Sequence, residues 1–105
     1  MLLLTYDLIQ NGDSQLNNAI KEYLKEKGWS DTVSYWNKTR QCSIEDTAPS
    51  TTLWKNSNNP EIGCNDFEMA CLAYNTQNLQ YRRMAKGKVV CVNFNNDDCS
   101  CVELA

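Results

Sequence analysis

The stretch that decides the fold is Met1-Leu-Leu-Leu-Thr-Tyr-Asp7-Leu8, an apolar run that ends beside a single carboxylate. Its three consecutive leucines and its tyrosine leave no obvious side for water, so the pattern predicts a strand that is covered on both faces. A charge at the rim of such a strand needs a reason, because carboxylates are unfavourable beside apolar surface. Asp7 is therefore the first candidate for a functional residue.

Composition limits the kind of protein this is. The 105 residues fit one domain, residues 1–105, with a core of its own. The net charge of -3 gives no global attraction to a polyanion, so nucleic-acid binding would need a local basic patch or metal ions. The N-terminal apolar run is too short for a signal-peptide core, and no later run approaches a membrane span. We expect a cytoplasmic protein with no membrane partner.

The cysteines are even in number and are compatible with three disulfides, but the lack of a secretion signal favours free thiols. They are Cys42, Cys64, Cys71, Cys91, Cys99 and Cys101. Cys99-Ser-Cys101 places two thiols on one face of a strand, which leaves a zinc site open as the alternative. Zinc sites usually show closely paired Cys-x-x-Cys or histidine ligands, and the chain has no histidine.

The first half of the chain alternates between strand and helix patterns. A turn after the opening strand leads to Asp13 or Ser14, either of which can cap an amphipathic helix that Gly28 ends. Residues 32–37 have the composition and alternation of a strand. Residues 38–50 are polar and read as a long connection.

The second half continues the alternation. Residues 51–55 form a short strand, and residues 56–63 are a loop rich in asparagine. Asn65 can cap a helix that runs to about Arg83. Strands then follow at residues 88–94 and 99–104.

This succession predicts an α+β protein with a ferredoxin-like βαββαβ antiparallel sheet, two helices on one face and an additional C-terminal strand. In that arrangement the first and third strands are central, and one sheet face has no helices over it. Because the opening strand is apolar on both sides, the simplest cover for that face is a second copy of the chain. We therefore predict a homodimer through the uncovered sheet face.

An opening strand ending in Tyr6-Asp7-Leu8, then a turn, an amphipathic helix ending near a glycine, and a strand containing Thr-Leu-Trp54 resemble small CRISPR-associated adaptation nucleases and related VapD-type toxin ribonucleases. The pattern covers the first 55 residues, and the rest matches in element order only. The resemblance implies a ferredoxin-like homodimer in which the aspartate after the first strand lies near the dimer axis. There two copies hold a divalent metal and act on phosphodiesters. Asp7 is the matching residue.

Physical chemistry limits what Asp7 can do. Magnesium prefers six oxygens, so one carboxylate is a poor site and a two-fold axis would have to supply the second. Two such carboxylates repel unless a metal neutralises them or one keeps its proton, and with Mg or Mn bound the site can polarise a phosphoryl group and activate water. No organic cofactor is expected. The structural alternative is that Asp7 begins the turn after the strand and accepts backbone hydrogen bonds.

Residues 81–88 contain the basic cluster of the chain. Arg82, Arg83 and Lys86 are candidates for holding the phosphates of RNA or DNA. The simpler explanation is that cations in the last turn of a helix interact favourably with its dipole.

Two further features weigh on function. The tryptophans, which we assign to packing as core or interface anchors, are Trp29, Trp36 and Trp54. The chain lacks histidine and a glycine-rich phosphate loop, so common hydrolase and nucleotide-binding patterns are missing. Two hypotheses remain: a metal-dependent nuclease that acts on RNA through Asp7, and a non-catalytic dimeric module that regulates or binds a protein partner.

Overall fold

The structure, a computed structural model, describes residues 1–9, 15–38, 40–77, 86–95 and 99–103. Within these ranges the chain forms helices and strands in the following order: β1 (Leu2–Ile9), α1 (Leu16–Glu26), β2 (Thr32–Asn37), β3 (Cys42–Thr47), β4 (Thr52–Lys55), α2 (Glu61–Gln77), β5 (Lys86–Asn93) and β6 (Val102–Glu103). The protein is therefore α+β, as the sequence predicts.

The strands form two small sheets. The first has the order β4-β1-β5, with both pairings antiparallel, and the second has the order β3-β2-β6. In the second sheet β2 pairs antiparallel with β3 and parallel with β6. The ferredoxin-like order is not confirmed, because β1 alone is central in the first sheet and β2 pairs elsewhere. Two backbone hydrogen bonds between Ser30 and Trp54, of 2.8 and 2.9 Å, connect the sheets.

Side chains along β1 alternate between the two faces of the first sheet. Leu2, Leu4, Tyr6 and Leu8 are buried, whereas the intervening residues are exposed. In a single chain, β1 is therefore covered on one face only, and the cover of its other face by a second copy stays a prediction. Successive side chains of a strand point to opposite faces even where all of them are apolar, so packing alone decides which face meets water.

Both helices pack on the buried side of β1, as predicted. The inner core combines side chains from β1 and β4 with one stripe of each helix; its helical and loop members are Leu16, Ile20, Leu24, Trp29, Phe67 and Ala70. Burying a side chain of this size contributes about 1.5–3 kcal/mol. Gly28 ends α1 in the left-handed region at φ 95°, where a side chain would be strained.

The predicted connection over residues 38–50 contains a strand, β3. Its side chains are exposed except for the half-buried Ile44, which pairs with Tyr35 of β2. A strand with so little contact to a core needs no apolar alternation, so its polar composition concealed it. The buried Asn37 stabilises the turn between β2 and β3. Its Oδ1 accepts a hydrogen bond from Arg40 N at 2.9 Å, and its backbone carbonyl accepts one from Gln41 N at 2.8 Å.

The second helix begins earlier than predicted, at Glu61 rather than near Asn65. Asn59 Oδ1 accepts a hydrogen bond from Glu61 N at 3.2 Å, and Pro60 stands between them. Proline fits the first turn of a helix, where its missing N–H has no partner to lose. The loop assignment for residues 56–63 is therefore wrong over its last residues. Neither helix in the described ranges is long and apolar enough to cross a membrane.

Candidate functional site on the outer sheet face

The face of the β4-β1-β5 sheet that points away from the helices is the candidate site, and we call it the outer sheet face. Directly paired residues of antiparallel strands share a face, so the register defines its members. They are Leu3 with Trp54 and Val92, Thr5 with Thr52 and Val90, Asp7 with Lys88, and Ile9 with Lys86. The face thus has an apolar region toward the start of β1 and a charged region toward its end.

The apolar side chains of this face are open to solvent in the single chain. Leu3 is 36% exposed, Val92 44%, and Val90 and Ile9 57% each. Single exposed apolar residues are ordinary, but several on neighbouring strands form a contiguous patch of the kind found at interfaces.

Asp7 is exposed on the outer sheet face, within β1 rather than at its rim. The strand continues to Ile9, and the turn that the alternative role of Asp7 involves lies outside the described residues. Lys88 stands directly opposite on β5, in position for a cross-strand charge pair. Gly87 lies between Lys86 and Lys88 on β5. A Cβ at this position would collide with the carbonyl oxygen of Asp7, so glycine allows β5 to approach β1 here.

Among the described residues, Asp7 is not part of a metal-binding cluster. Over these ranges, no group of three or more aspartate, glutamate, cysteine or histidine side chains is placed to hold an ion. A magnesium or manganese ion at Asp7 would need oxygen ligands beyond those of the described residues, such as those of a second copy or of a substrate.

Of the three predicted phosphate-binding residues, the structure describes one. Lys86 is the first residue of β5, exposed and opposite Ile9 on the outer sheet face. Arg82 and Arg83 lie outside the described residues. Lys88, which belongs to the basic cluster of residues 81–88 but was not among the predicted phosphate-binding residues, is also exposed on this face, opposite Asp7.

The tryptophans differ in their surroundings. Trp29 is 2% exposed and Trp36 is 48% exposed. Trp54 lies between these extremes and donates from Nε1 to the carbonyl of Thr32 at 2.6 Å. The packing assignment is confirmed for Trp29, whereas Trp36 contributes to an interface only if a partner covers it.

The inner face of β1 carries the hydroxyl of Tyr6, whose contacts lie within the fold. Tyr6 OH donates to Asn17 Oδ1 at 2.6 Å, and its ring lies 5.3 Å from that of Phe67. Burial, with a smaller effect from Cys71, raises the pKa of Tyr6 to about 12. Burial also raises the pKa of the Cys71 thiol. Neither group is poised to ionise near neutral pH.

The six cysteines form no disulfide in this structure. Cys99 and Cys101 lie near each other, with their Sγ atoms 3.9 Å apart. Burial, followed by the hydrogen bond with Cys99, raises the pKa of Cys101.

A groove of about 250 Å³ lies between α1 and α2. Small and aromatic side chains line it together with two carboxylates: Ala19, Glu22, Tyr23, Glu26, Ala70, Ala73 and Tyr74. Tyr23 already carries a cation over its ring, since Lys27 Nζ lies 5.5 Å from the centroid. No motif in the sequence pointed to this groove.

Comparison with known proteins does not add a relative. No protein-family model, no curated protein and no solved structure matches the chain.

Proposed function

We propose that this protein is a self-associating module that forms a homodimer through the outer sheet face. The observation that carries the proposal is the contiguous apolar region formed by Leu3, Val90 and Val92, open to solvent on the side of the sheet that the helices leave bare. The free thiols support a reducing compartment such as the cytoplasm.

The charges of the outer sheet face favour a second copy over an unrelated partner. In a two-fold interface each contact occurs twice, so the surface must be complementary to itself. Asp7 and Lys88 place opposite charges side by side on neighbouring strands. Lys86 lies on the same face, two residues before Lys88 at the start of β5. Such a face can set the carboxylate of one copy against a lysine of the other while the apolar regions pack together.

The test compares two substitutions at side chains of nearly equal exposure. Val90 is 57% exposed on the outer sheet face, and Leu72 is 55% exposed on α2. Light scattering after size exclusion should give a dimer for the wild type and for Leu72→Glu, but a folded monomer for Val90→Glu. Circular dichroism confirms the fold of each variant, and Val90→Thr serves as a milder substitution that keeps strand propensity. A monomeric wild type, or equal dimerisation of all variants, contradicts the proposal.

A second candidate function is a metal-dependent nuclease that acts on RNA. The observation that favours it is that Asp7 is exposed on the same face as Lys86 and Lys88, so a carboxylate for a metal and cations for phosphates share one surface. The resemblance of the opening strand to CRISPR-associated adaptation nucleases and VapD-type ribonucleases agrees with this. Because the described residues supply one carboxylate to this face, Asp7, the nuclease hypothesis rests on the proposed dimer for a second one.

Cleavage of single-stranded and structured RNA, and of DNA, should be measured with magnesium or manganese. Under the nuclease hypothesis, Asp7→Asn abolishes cleavage, and Glu45→Gln on the exposed β3 leaves it intact. Val90→Glu should abolish it together with dimerisation. A dimer that cleaves nothing under either metal supports the non-catalytic module, and cleavage that survives in Asp7→Asn excludes Asp7 as the catalytic residue.

A further inference from the structure

A second pair of chemically reactive side chains lies away from the outer sheet face, where the chain enters β6. The Sγ atoms of Cys99 and Cys101 are 3.9 Å apart and in hydrogen-bonding contact. Cys99 is exposed and Cys101 is half-buried. One thiol is therefore open to a reagent, and the other stands beside it.

We propose that Cys99 and Cys101 form a redox-active dithiol that closes to an intrachain disulfide by exchange with a small-molecule disulfide. The proposal is independent of dimerisation and of any nuclease activity. It assigns the pair to covalent exchange rather than to the zinc site left open by the sequence, because the described residues bring no third ligand to the pair.

The exchange proceeds in two balanced steps. Cys99 loses its proton to water, and its thiolate attacks one sulfur of the disulfide RSSR; a Cys99–SR bond forms, the S–S bond of RSSR breaks, and the released RS⁻ takes a proton from water. Cys101 then loses its proton to water, and its thiolate attacks the Cys99 sulfur. The Cys99–Cys101 bond forms as the Cys99–SR bond breaks and a second RS⁻ leaves and is protonated. Two protein thiols are oxidised, and RSSR is reduced to two RSH.

The surroundings of the two thiols set the order of these steps. Reactivity in exchange depends on access and on the fraction of thiolate. Cys99 has the greater access, and the raised pKa of Cys101 means that this thiol holds its proton more firmly. Cys99 is therefore the attacking thiol, and Cys101 is the resolving thiol.

The backbone allows the pair to close. A disulfide needs its sulfurs about 2.05 Å apart, so they must approach each other. The carbonyl of Cys101 accepts from Trp36 N at 3.0 Å, and the pairing of β6 with β2 begins at Val102. Cys99 and Ser100 precede the strand, so the movement can occur there while β6 stays paired.

The test treats the whole protein with oxidised glutathione, quenches with acid, alkylates the remaining thiols and maps the peptides by mass spectrometry. We expect the peptide with Cys99 and Cys101 to lose the mass of two hydrogen atoms and to escape alkylation. Cys101→Ser should stop at a glutathione adduct on Cys99. Cys99→Ser should react more slowly at Cys101.

Two controls make the result decisive. Cys42, an exposed thiol on β3, reports the reactivity of an ordinary surface cysteine in the same sample. The same reaction in urea reports what the local sequence does without the fold, and closure should be faster in the folded protein. The proposal is overturned if both thiols carry glutathione, if they stay reduced while Cys42 reacts, or if urea leaves the closure rate unchanged.

Discussion

At the scale of the residue, Asp66 connects three parts of the molecule. Its Oδ2 accepts from Trp29 Nε1 at 2.9 Å and lies 3.9 Å from Lys55 Nζ. The ammonium of Lys55 also lies 5.7 Å from the centre of the Trp29 ring and donates to the carbonyl of Lys27 at 2.7 Å. The end of α1, the strand β4 and the helix α2 therefore meet at one carboxylate.

Replacement of Asp66 tests this connection. Asp66→Ala leaves the N–H of a buried indole without a partner, which should lower the free energy of unfolding by about 1–3 kcal/mol. Asp66→Asn keeps an acceptor oxygen and should lose less. Urea unfolding followed by tryptophan fluorescence measures both, and equal losses in the two variants would show that the hydrogen bond to Trp29 is not what stabilises this junction.

Tyr6 makes stability depend on pH in the alkaline range. Its pKa in the folded protein is about 12, above the ordinary value of 10.0, so folding favours the neutral phenol. This contribution is fully present below about pH 10 and is lost as the pH rises toward about 12, because the unfolded chain ionises first.

We expect the unfolding midpoint of the wild type to fall more steeply than that of Tyr6→Phe between about pH 10 and pH 12. At neutral pH the variant should be less stable by about 1 kcal/mol, since it lacks the hydrogen bond to Asn17. Urea titrations at a series of pH values measure both effects. Parallel pH curves for the two proteins would contradict the assignment to Tyr6.

At the scale of the element, the start of α2 shows how one cap decides a boundary. Asn59 accepts from the backbone of Glu61 and Pro60 occupies the first turn, whereas Asn65 is exposed within the helix. The sequence pattern predicted Asn65 as the cap and placed Asn59 in a loop. The hydrogen bond from Glu61 N to Asn59 Oδ1 instead identifies the earlier asparagine as the cap.

The two asparagines give a matched pair of substitutions. Asn59→Ala should lower the free energy of unfolding by about 0.5–2 kcal/mol, the usual loss for a removed cap. Asn65→Ala should be neutral or slightly stabilising, because alanine is the better helix former at an exposed interior position. Thermal unfolding by circular dichroism measures both. A larger loss at Asn65 would place the start of the helix where the sequence pattern first suggested it.

At the scale of the whole molecule, the two sheets differ in how well they are buried. The first sheet contributes the fully buried Leu2, Leu4 and Leu53 to the core. The second sheet offers half-buried side chains such as Tyr35 and Ile44. The radius of gyration, 15.1 Å, exceeds the roughly 13 Å of a compact chain of this size.

This difference predicts unequal local stability. Amide hydrogens of β2 and β3 should exchange with solvent through local opening, while those of β1 and β5 should exchange only near the global unfolding free energy. Hydrogen exchange followed by NMR, with increasing low concentrations of denaturant, separates the two classes. Uniform protection across both sheets would show that a partner covers the second sheet or that the chain opens as one unit.

Most helices and strands can be predicted from the spacing of apolar residues along the chain, whereas little of the outer sheet face can. The apolar run at the start of β1, the helical repeat before Gly28 and the valine-rich β5 are each readable, because short-range periodicity reports one covered face. The polar β3 is not readable, since an exposed strand needs no apolar face. Asp7 was recognisable as a charge beside apolar residues, but its pairing with Lys88 is a long-range contact that no local pattern contains.

The sequence by itself therefore determined the α+β class, the principal strands and helices and the candidacy of Asp7, because these depend on composition and on spacing within a few residues. Only the tertiary structure decided that the strands divide into two sheets and which side chains of β1 lie on the side that the helices leave bare. It also brought Asp7 opposite Lys88 on that bare side. The physical reason is that strand pairing and burial join residues far apart in the chain, and the free energy of those contacts belongs to the packed molecule.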